Sequence, residues 1–245
     1  MSREMCYRCF WPKSLCWCSS VTPIDTRTKI VILMHPKEYK QEKAGTGRLA
    51  HICLNNSEIH MGICFDRQEP VQALIRDPSN FPVLLYPCKE AVTVSEHGFF
   101  AAVPGDRRLI VFLLDGTWSL AKKMFLRSRT LQALPKIMFV PREKSRYLIK
   151  KQPHDWCLST IEAAHELMNA LEKAGLDRYP RPAQMLDLFA RMQEYQIASM
   201  KDPARQKYRP WEGRRFRELQ EKTHHGDTEK TREDSPQRHR VHRES

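Results

Sequence analysis

The chain has 245 residues, of which 41 % are hydrophobic, and it carries 41 Lys and Arg against 29 Asp and Glu. A chain of this length buries a core without disulfides, and its apolar runs fall far short of the ~18 residues of a membrane span. Because the N-terminus also lacks the pattern of a secretory signal, we expect a cytoplasmic protein and neither a membrane protein nor an exported one.

Positive charge is found in both the body and the end of the chain. Residues 201–245 hold 13 Lys and Arg against 9 Asp and Glu, which leaves a net charge of +8 on the first 200 residues. A basic folded body favours a nucleic acid as partner, although general solubility is an alternative explanation. After residue 217 the sequence has one Leu, one Val and no aromatic residue, too little apolar surface for folding. We predict a small separate segment at 1–24, a main domain at 25–217 and a disordered basic tail at 218–245.

The segment at 1–24 is a predicted knuckle that contains four cysteines within 13 residues: Cys6, Cys9, Cys16 and Cys18. Two close pairs of thiols are typical of a tetrahedral structural zinc site, which we favour over a disulfide pair or an iron–sulfur cluster. With all four positions filled by protein, the ion would stabilise the knuckle and take no part in catalysis. The remaining cysteines are predicted to pack in the core as small apolar side chains: Cys53, Cys64, Cys88 and Cys157.

Strands and helices then alternate along the chain. Lys29–Met34 and residues 109–114 are continuous apolar runs, which are typical of strands buried on both faces. Further strands are predicted at residues 59–64, 83–86 and 136–140, and helices at residues 119–131, 159–174 and 185–200, with a loop entering a helix at 45–54. This order predicts a mainly parallel sheet with helices on both faces, in which the ligand binds at the carboxyl ends of strands.

Asp115, Gly116, Thr117 and Trp118 directly follow the central predicted strand. A carboxylate at a strand end is placed to act as a general base. Alternatively, Asp115 or Thr117 caps the next helix and Trp118 packs beside it. The residues alone leave both interpretations open.

Three other segments at strand ends carry polar chemistry. Ser159 and Glu162 form a capping-box pattern, where free helix amides suit a ligand carboxylate or a ribose hydroxyl, although an ordinary cap needs no ligand. The segment GTGR at 45–48 lacks the Lys-Ser/Thr of a P-loop, which argues against nucleotide hydrolysis. Arg48 is predicted to contact a phosphate or the substrate, with a surface ion pair as the alternative. The basic run at residues 142–151 either follows an RNA backbone or forms a solvated face.

Several of these segments together carry a resemblance to a known family: CYRCFWPKSLCWC at 6–18, HPKE at 35–38, TGRL at 46–49, LLDGTW at 113–118 and LSTIEA at 158–163. Over residues 6–174 the chain resembles the DTW-domain tRNA-uridine aminocarboxypropyltransferases. The resemblance implies a SPOUT-like α/β fold with a C-terminal knot that binds S-adenosylmethionine. It also implies transfer of the 3-amino-3-carboxypropyl group to N3 of a tRNA uridine, with methylthioadenosine as by-product. Gly45 departs from the family pattern, in which we expect Asn, so a side-chain contact at this position is in doubt.

The chemistry of the implied reaction suggests roles for the residues already described. Asp115 is the expected base, because N3 of uracil is a weakly acidic imide that needs a proton acceptor. The expected S-adenosylmethionine contacts are Gly116, Thr117, Trp118, Leu158, Ser159, Thr160 and Glu162. The expected tRNA contacts are Arg48, Arg142, Arg146, Lys150 and Lys151.

Two other functions fit the same residues. A SPOUT-type RNA methyltransferase would use the same cofactor and pocket but transfer a methyl group. A non-catalytic zinc-knuckle RNA-binding protein would need only the basic body and the four thiolates, and it would leave the DGTW and STIEA segments unexplained.

Overall fold

The computed structural model describes residues 4–41, 45–94, 103–141, 143–150, 154 and 157–202. The chain divides into two compact units, Met1–Glu194 and Tyr195–Ser245. The predicted tail at 218–245, and with it the boundary at residue 217, lies outside the described residues.

A single parallel sheet organises the first unit. Within the described ranges it has six strands in the order β2-β1-β5-β3-β6-β4, and each neighbouring pair is parallel. The strands are β1 Lys29–Met34, β2 Ser57–Met61, β3 Asn80–Leu85, β4 Val92–Thr93, β5 Arg108–Asp115 and β6 Lys136–Met138. The predicted α/β class with a mainly parallel sheet is confirmed.

Helices connect these strands and flank the sheet. They are α1 Pro36–Gln41, α2 Thr46–Cys53, α3 Glu69–Arg76, α4 Trp118–Arg127, α5 Arg129–Ala133, α6 Thr160–Lys173 and α7 Ala183–Lys201. Two 3₁₀ turns, Lys13–Leu15 and Cys18–Ser20, belong to the knuckle. Within the described residues, none of the helices is long and apolar enough to cross a membrane.

Both faces of the central strands are covered. On one face, Val31 and Phe112 lie in a core cluster with Val71 of α3 and Met124 of α4. Successive strand side chains alternate between faces, so the fully buried Ile32 belongs to the opposite face, where α2 packs against β1 and α6 against β5. This double coverage explains why β1 and β5 are apolar at nearly every position.

The helix predicted at 119–131 is two helices in the structure, α4 and α5. The break occurs at Ser128, which has an extended backbone with φ −116° and ψ 92°. Ser128 is completely buried, and its hydroxyl accepts a hydrogen bond from the Phe65 N–H at 3.1 Å. A serine that bonds to backbone elsewhere competes with the helix, and this partner is distant in sequence.

Two further differences arise at strand ends and sheet edges. β3 begins at Asn80 and includes Pro82, because at that position β3 pairs with β5 alone, while β6 joins only at Leu84 and Leu85.

Cys53 and Cys157 are buried as predicted and Cys88 is partly buried. Cys64 is exposed, so its assignment to the core is wrong. It lies in the loop after β2, which is the edge strand of the sheet.

Candidate active site

The switch point of the sheet lies in the crevice between β1 and β5, because the connections that leave these two strands run to opposite sides. After β1 the chain continues to β2 on one side, and after β5 it continues to β6 on the other side. Ligands of open parallel sheets bind at such a switch point, outside the carboxyl ends of the strands. Met34 pairs in register with Asp115, and the N–H of His35 donates to the carbonyl oxygen of Asp115 at 2.9 Å. The sheet therefore brings the HPKE and DGTW segments together.

The Asp115 side chain is enclosed at this point, with only 4 % of its surface exposed. Its Oδ1 accepts a hydrogen bond from the Thr160 hydroxyl at 2.5 Å. Its Oδ2 is buried and has no hydrogen-bond partner among the residues that the structure describes. Burial raises the pKa of Asp115, against the opposing effects of the Thr160 hydroxyl, the charges of Lys150 and Arg48, and the Gly47 N–H. Thr160 thus fixes one carboxylate oxygen, and the other keeps its capacity to accept a hydrogen bond.

Gly47 lies directly against this carboxylate. A Cβ atom at position 47 would come within 2.7 Å of both Cγ and Oδ2 of Asp115, closer than side-chain atoms can approach. Only glycine allows the first turn of α2 to pack its backbone on the acid. The TGRL segment therefore contributes a close approach to Asp115, a role that its spacing alone did not reveal.

The structure places Arg48, which was predicted to contact tRNA, in the interior of the protein. Arg48 is only 3 % exposed, and its guanidinium donates to the carbonyl oxygen of Tyr39. The guanidinium carbon lies 4.0 Å from the ring centroid of Phe10 and 4.8 Å from that of Tyr39. Burial lowers the pKa of Arg48, and the nearby Tyr39 and Asp115 oppose this effect. Arg48 is thus an interior cation beside the acid.

The start of α6 forms the predicted capping box. The Glu162 carboxylate accepts bonds from the N–H of Ser159 at 2.8 Å and from its hydroxyl at 2.6 Å. It also accepts from the Ser145 hydroxyl at 2.9 Å and the Arg146 N–H at 2.6 Å. Glu162 is therefore occupied in joining the loop after β6 to α6, while Thr160 is the residue of this segment that contacts Asp115.

The same loop has a second attachment on α7. Gln193 accepts from the N–H of Leu148 at 2.6 Å and donates to the carbonyl of Arg146 at 3.1 Å. Residues 143–150 are thus held by side chains of two different helices.

The residues after Asp115 lead into α4. The Thr117 hydroxyl accepts the N–H of Leu120 at 3.4 Å and so caps the helix. A Cβ at Gly116 would lie 3.3 Å from Cβ of Leu120 and 3.5 Å from that of His35, so the turn is tightly packed. Trp118 is 39 % exposed, a large aromatic surface left open close to the acid. Leu158, before the capping box, is half-buried.

The four cysteines of the knuckle converge on one point. The sulfur atoms of Cys6, Cys9, Cys16 and Cys18 lie within 4.8 Å of one another, which is an arrangement that could hold a metal ion. Cys6 Sγ is 3.9 Å from Cys18 Sγ, and Cys9 Sγ is 3.7 Å from Cys16 Sγ. These distances show free thiols and not disulfides.

The predicted RNA contacts are only partly within the described residues. Arg146 is exposed over 57 % of its side chain and pairs with Glu143 at 2.5 Å. The Lys150 ammonium lies 3.6 Å from Glu38 Oε2. Arg142 and Lys151 lie outside the described residues.

Comparisons with known proteins agree with the motifs at this site. The DTW domain family matches residues 3–197. The chain is 30 % identical over 206 residues to tRNA-uridine aminocarboxypropyltransferase 2 of Mus musculus, covering 82 % of this chain and 68 % of the relative. It is 30 % identical over 177 residues to the protein of the same name in Drosophila melanogaster, covering 69 % and 67 %. It is 27 % identical over 225 residues to tRNA-uridine aminocarboxypropyltransferase A of Arabidopsis thaliana, covering 81 % and 84 %. No solved structure matches the chain.

Proposed function

Because the chain belongs to the DTW domain family, we propose that it is a tRNA-uridine aminocarboxypropyltransferase. It transfers the 3-amino-3-carboxypropyl group of S-adenosylmethionine to N3 of a tRNA uridine and releases methylthioadenosine. The observation that carries this proposal is Asp115, a buried carboxylate at the switch point with one oxygen that lacks a hydrogen-bond partner among the described residues. The names of the relatives support aminocarboxypropyl transfer to a tRNA uridine, and Asp115 is a group able to accept the uridine proton.

The residues around Asp115 fit S-adenosylmethionine. Gly47 lets the first turn of α2 pack directly against the acid, and α6 begins next to Asp115, where the positive end of a helix favours a carboxylate. The residues that would hold the molecule are Gly116, Thr117, Trp118, Leu158, Ser159 and Thr160, with Glu162 fixing Ser159. When bound, S-adenosylmethionine supplies an electrophilic carbon next to a sulfonium.

Asp115 takes the N3 proton of the uridine on Oδ2. The Thr160 hydroxyl donates to Oδ1, so Oδ2 is the oxygen left to accept the proton. Burial raises the pKa of Asp115, which makes the ionised form a stronger proton acceptor. Removal of the proton concentrates negative charge on N3 and makes it a competent nucleophile.

We assign zinc to the cysteine cluster. Four thiolates at about 2.3 Å from one tetrahedral zinc ion lie roughly 3.8 Å apart, and two of the sulfur pairs are 3.9 Å and 3.7 Å apart. With four protein ligands the ion has no open position, so its role is structural.

The SPOUT-like architecture and its C-terminal knot also belong to this proposal. Their support is the six-stranded parallel sheet together with the family membership. We further propose that Arg146 and Lys150, with Arg142 and Lys151 outside the described residues, contact tRNA phosphates. Their support is positive charge on the loop that leads to α6 beside Asp115.

The function is tested with the purified protein, S-adenosylmethionine and tRNA, followed by mass spectrometry of nucleosides and small products. We expect an aminocarboxypropyl-uridine and methylthioadenosine. Methylated RNA with S-adenosylhomocysteine would instead identify a methyltransferase, and tRNA binding without either product would identify a non-catalytic binder.

A further inference from the structure

The knuckle fixes an aromatic side chain that lies next to the active site. Phe10 directly follows Cys9 and has a φ of +59°, a left-handed conformation that is a genuine outlier for a bulky residue. Its N–H donates to the carbonyl of Cys6 at 2.8 Å, and the N–H of Cys6 donates to the carbonyl of Trp11 at 2.7 Å. The turn that brings Cys6 and Cys9 together is therefore the turn that orients Phe10.

Phe10 is one wall of the enclosure around Arg48. Its ring centroid is 4.0 Å from the guanidinium carbon, and its ring meets that of Tyr39 edge-on, with centroids 5.4 Å apart. A buried cation needs compensation for the water that it has lost, and the negative faces of aromatic rings supply part of it. Tyr39 adds a carbonyl acceptor from α1. The position of Arg48 thus depends on the knuckle through Phe10.

Arg48 directly follows Gly47, the residue that packs against the Asp115 carboxylate. Its neighbour Gly47 lies so close to the Asp115 carboxylate that a Cβ would be 2.7 Å from Oδ2. A small displacement of this turn of α2 changes both the contact of Gly47 with Oδ2 and the distance from the Arg48 charge to the carboxylate. Among the described residues, Asp115 is also faced by Lys150 and Thr160, from the loop after β6 and from α6, and by the backbone of His35.

We infer that Phe10 is a positioning residue, which couples the metal knuckle to Asp115 by holding Arg48 and thereby Gly47 in place. The inference rests on the proposed function, because Asp115 is the base only in that reaction. It gives the knuckle a second role besides its own stability, because the turn that holds Cys6 and Cys9 also sets the geometry around the Asp115 carboxylate.

The test compares Phe10→Leu with Tyr7→Leu, a change to an aromatic residue of the same knuckle that is 89 % exposed. Both variants should keep one zinc per chain. In Phe10→Leu we expect kcat/KM to fall roughly 3- to 30-fold, the range that a desolvated cation–π contact implies, and its acid limb to move to higher pH. Tyr7→Leu should match the unchanged protein, and Phe10→Tyr, which keeps an aromatic face, should restore most of the loss.

A readout without substrate separates this inference from the proposed function. The pKa of Asp115, followed by carbon NMR of its carboxyl group, should be higher in Phe10→Leu than in Tyr7→Leu. Combining Phe10→Leu with Arg48→Lys should add little to either single change, because both disturb one contact. Equal Asp115 pKa values in the two leucine variants, or additive effects in the double variant, would overturn the inference. If the wild-type protein forms no product, the proposed function is rejected, and the comparison of Asp115 pKa values is not affected.

Discussion

The cysteine knuckle and the crevice at Asp115 are both small clusters of closely packed residues, but they are built in opposite ways. The knuckle takes four thiols from 13 consecutive residues, and the sulfurs face one another within 4.8 Å. The crevice joins Gly47 of α2, Asp115 of β5 and Thr160 of α6, which are separated by up to 113 positions, and it leaves Asp115 Oδ2 without a hydrogen bond from the described residues. A cluster whose members bind only one another stabilises the fold, whereas a cluster that leaves a polar atom without a partner can take part in a reaction.

Loss of one thiol should have the largest effect of the changes considered. Cys16→Ser removes a thiolate from a cluster that is proposed to bind zinc, and structural zinc contributes folding energy directly, on the order of 10 kcal/mol in isolated zinc modules. We expect loss of the metal and of the ordered knuckle, measured by metal analysis and by protease sensitivity of the N-terminal segment. Cys64→Ser, a change to an exposed cysteine outside the cluster, is the control. Full metal content in Cys16→Ser would contradict a zinc site formed by these four cysteines.

Asp115→Asn should abolish chemistry without a loss of fold, in contrast to the knuckle variant. A positioned base contributes about 10²- to 10⁴-fold, so kcat should fall by that factor in the nucleoside assay. Asp106→Asn, at an exposed position before the start of β5, should retain activity. Full turnover by Asp115→Asn would show that the carboxylate is structural.

Gly47→Ala should also act at the crevice, but less strongly. The new methyl group would lie 2.7 Å from the acid, and overpacking of this kind costs about 1–3 kcal/mol. We expect a lower melting temperature together with at least a tenfold loss of kcat/KM. Gly105→Ala, where a Cβ would meet no atom within 4 Å, should change neither quantity. Normal activity in Gly47→Ala would mean that the close approach is unimportant.

The buried carboxylate should also make the stability of the protein depend on pH. The pKa of Asp115 is raised in the folded state. At a pH below the pKa of the unfolded state, about 3.9, the carboxyl group is protonated in both states and its burial costs no stability through ionisation. As pH rises towards the folded pKa, the unfolded state ionises first and the folded state loses stability. Asp115→Asn removes this loss and should melt a few °C higher at neutral pH, with a smaller difference in acid. Equal differences at both pH values would contradict the assignment.

Arg146→Ala should produce the smallest change, because it lies on a surface outside both clusters. If Arg146 binds a tRNA phosphate, its removal should flatten the dependence of log affinity on log salt by about 0.7–0.9. Lys173→Ala, at the far end of α6, is the matched control and should leave the slope unchanged. A binding isotherm at several salt concentrations decides between a phosphate contact and a solvated face.

Local features of the fold and site were predictable from the sequence, and long-range ones were not. The apolar runs at β1 and β5 identified central strands, and the cysteine spacing identified the knuckle, because each signal is contained in a few neighbouring residues. The helix break at Ser128 depends on the N–H of Phe65, and the burial of Arg48 depends on Phe10 and Tyr39. Such partners are brought together only by the tertiary fold, so spacing favoured a continuous helix and a surface arginine.

The attachment of residues 143–150 by Glu162 and Gln193 has a consequence for the rate at which a polyanion associates. Ordering a residue costs about 1–2 kcal/mol of backbone entropy, and a loop that orders only at encounter would spend part of its binding energy on that step. Here the loop that carries Arg146 and Lys150 is already ordered by folding. A partner attracted by its charge meets a surface that needs no rearrangement, which favours fast capture and leaves the binding energy for selecting the correct molecule.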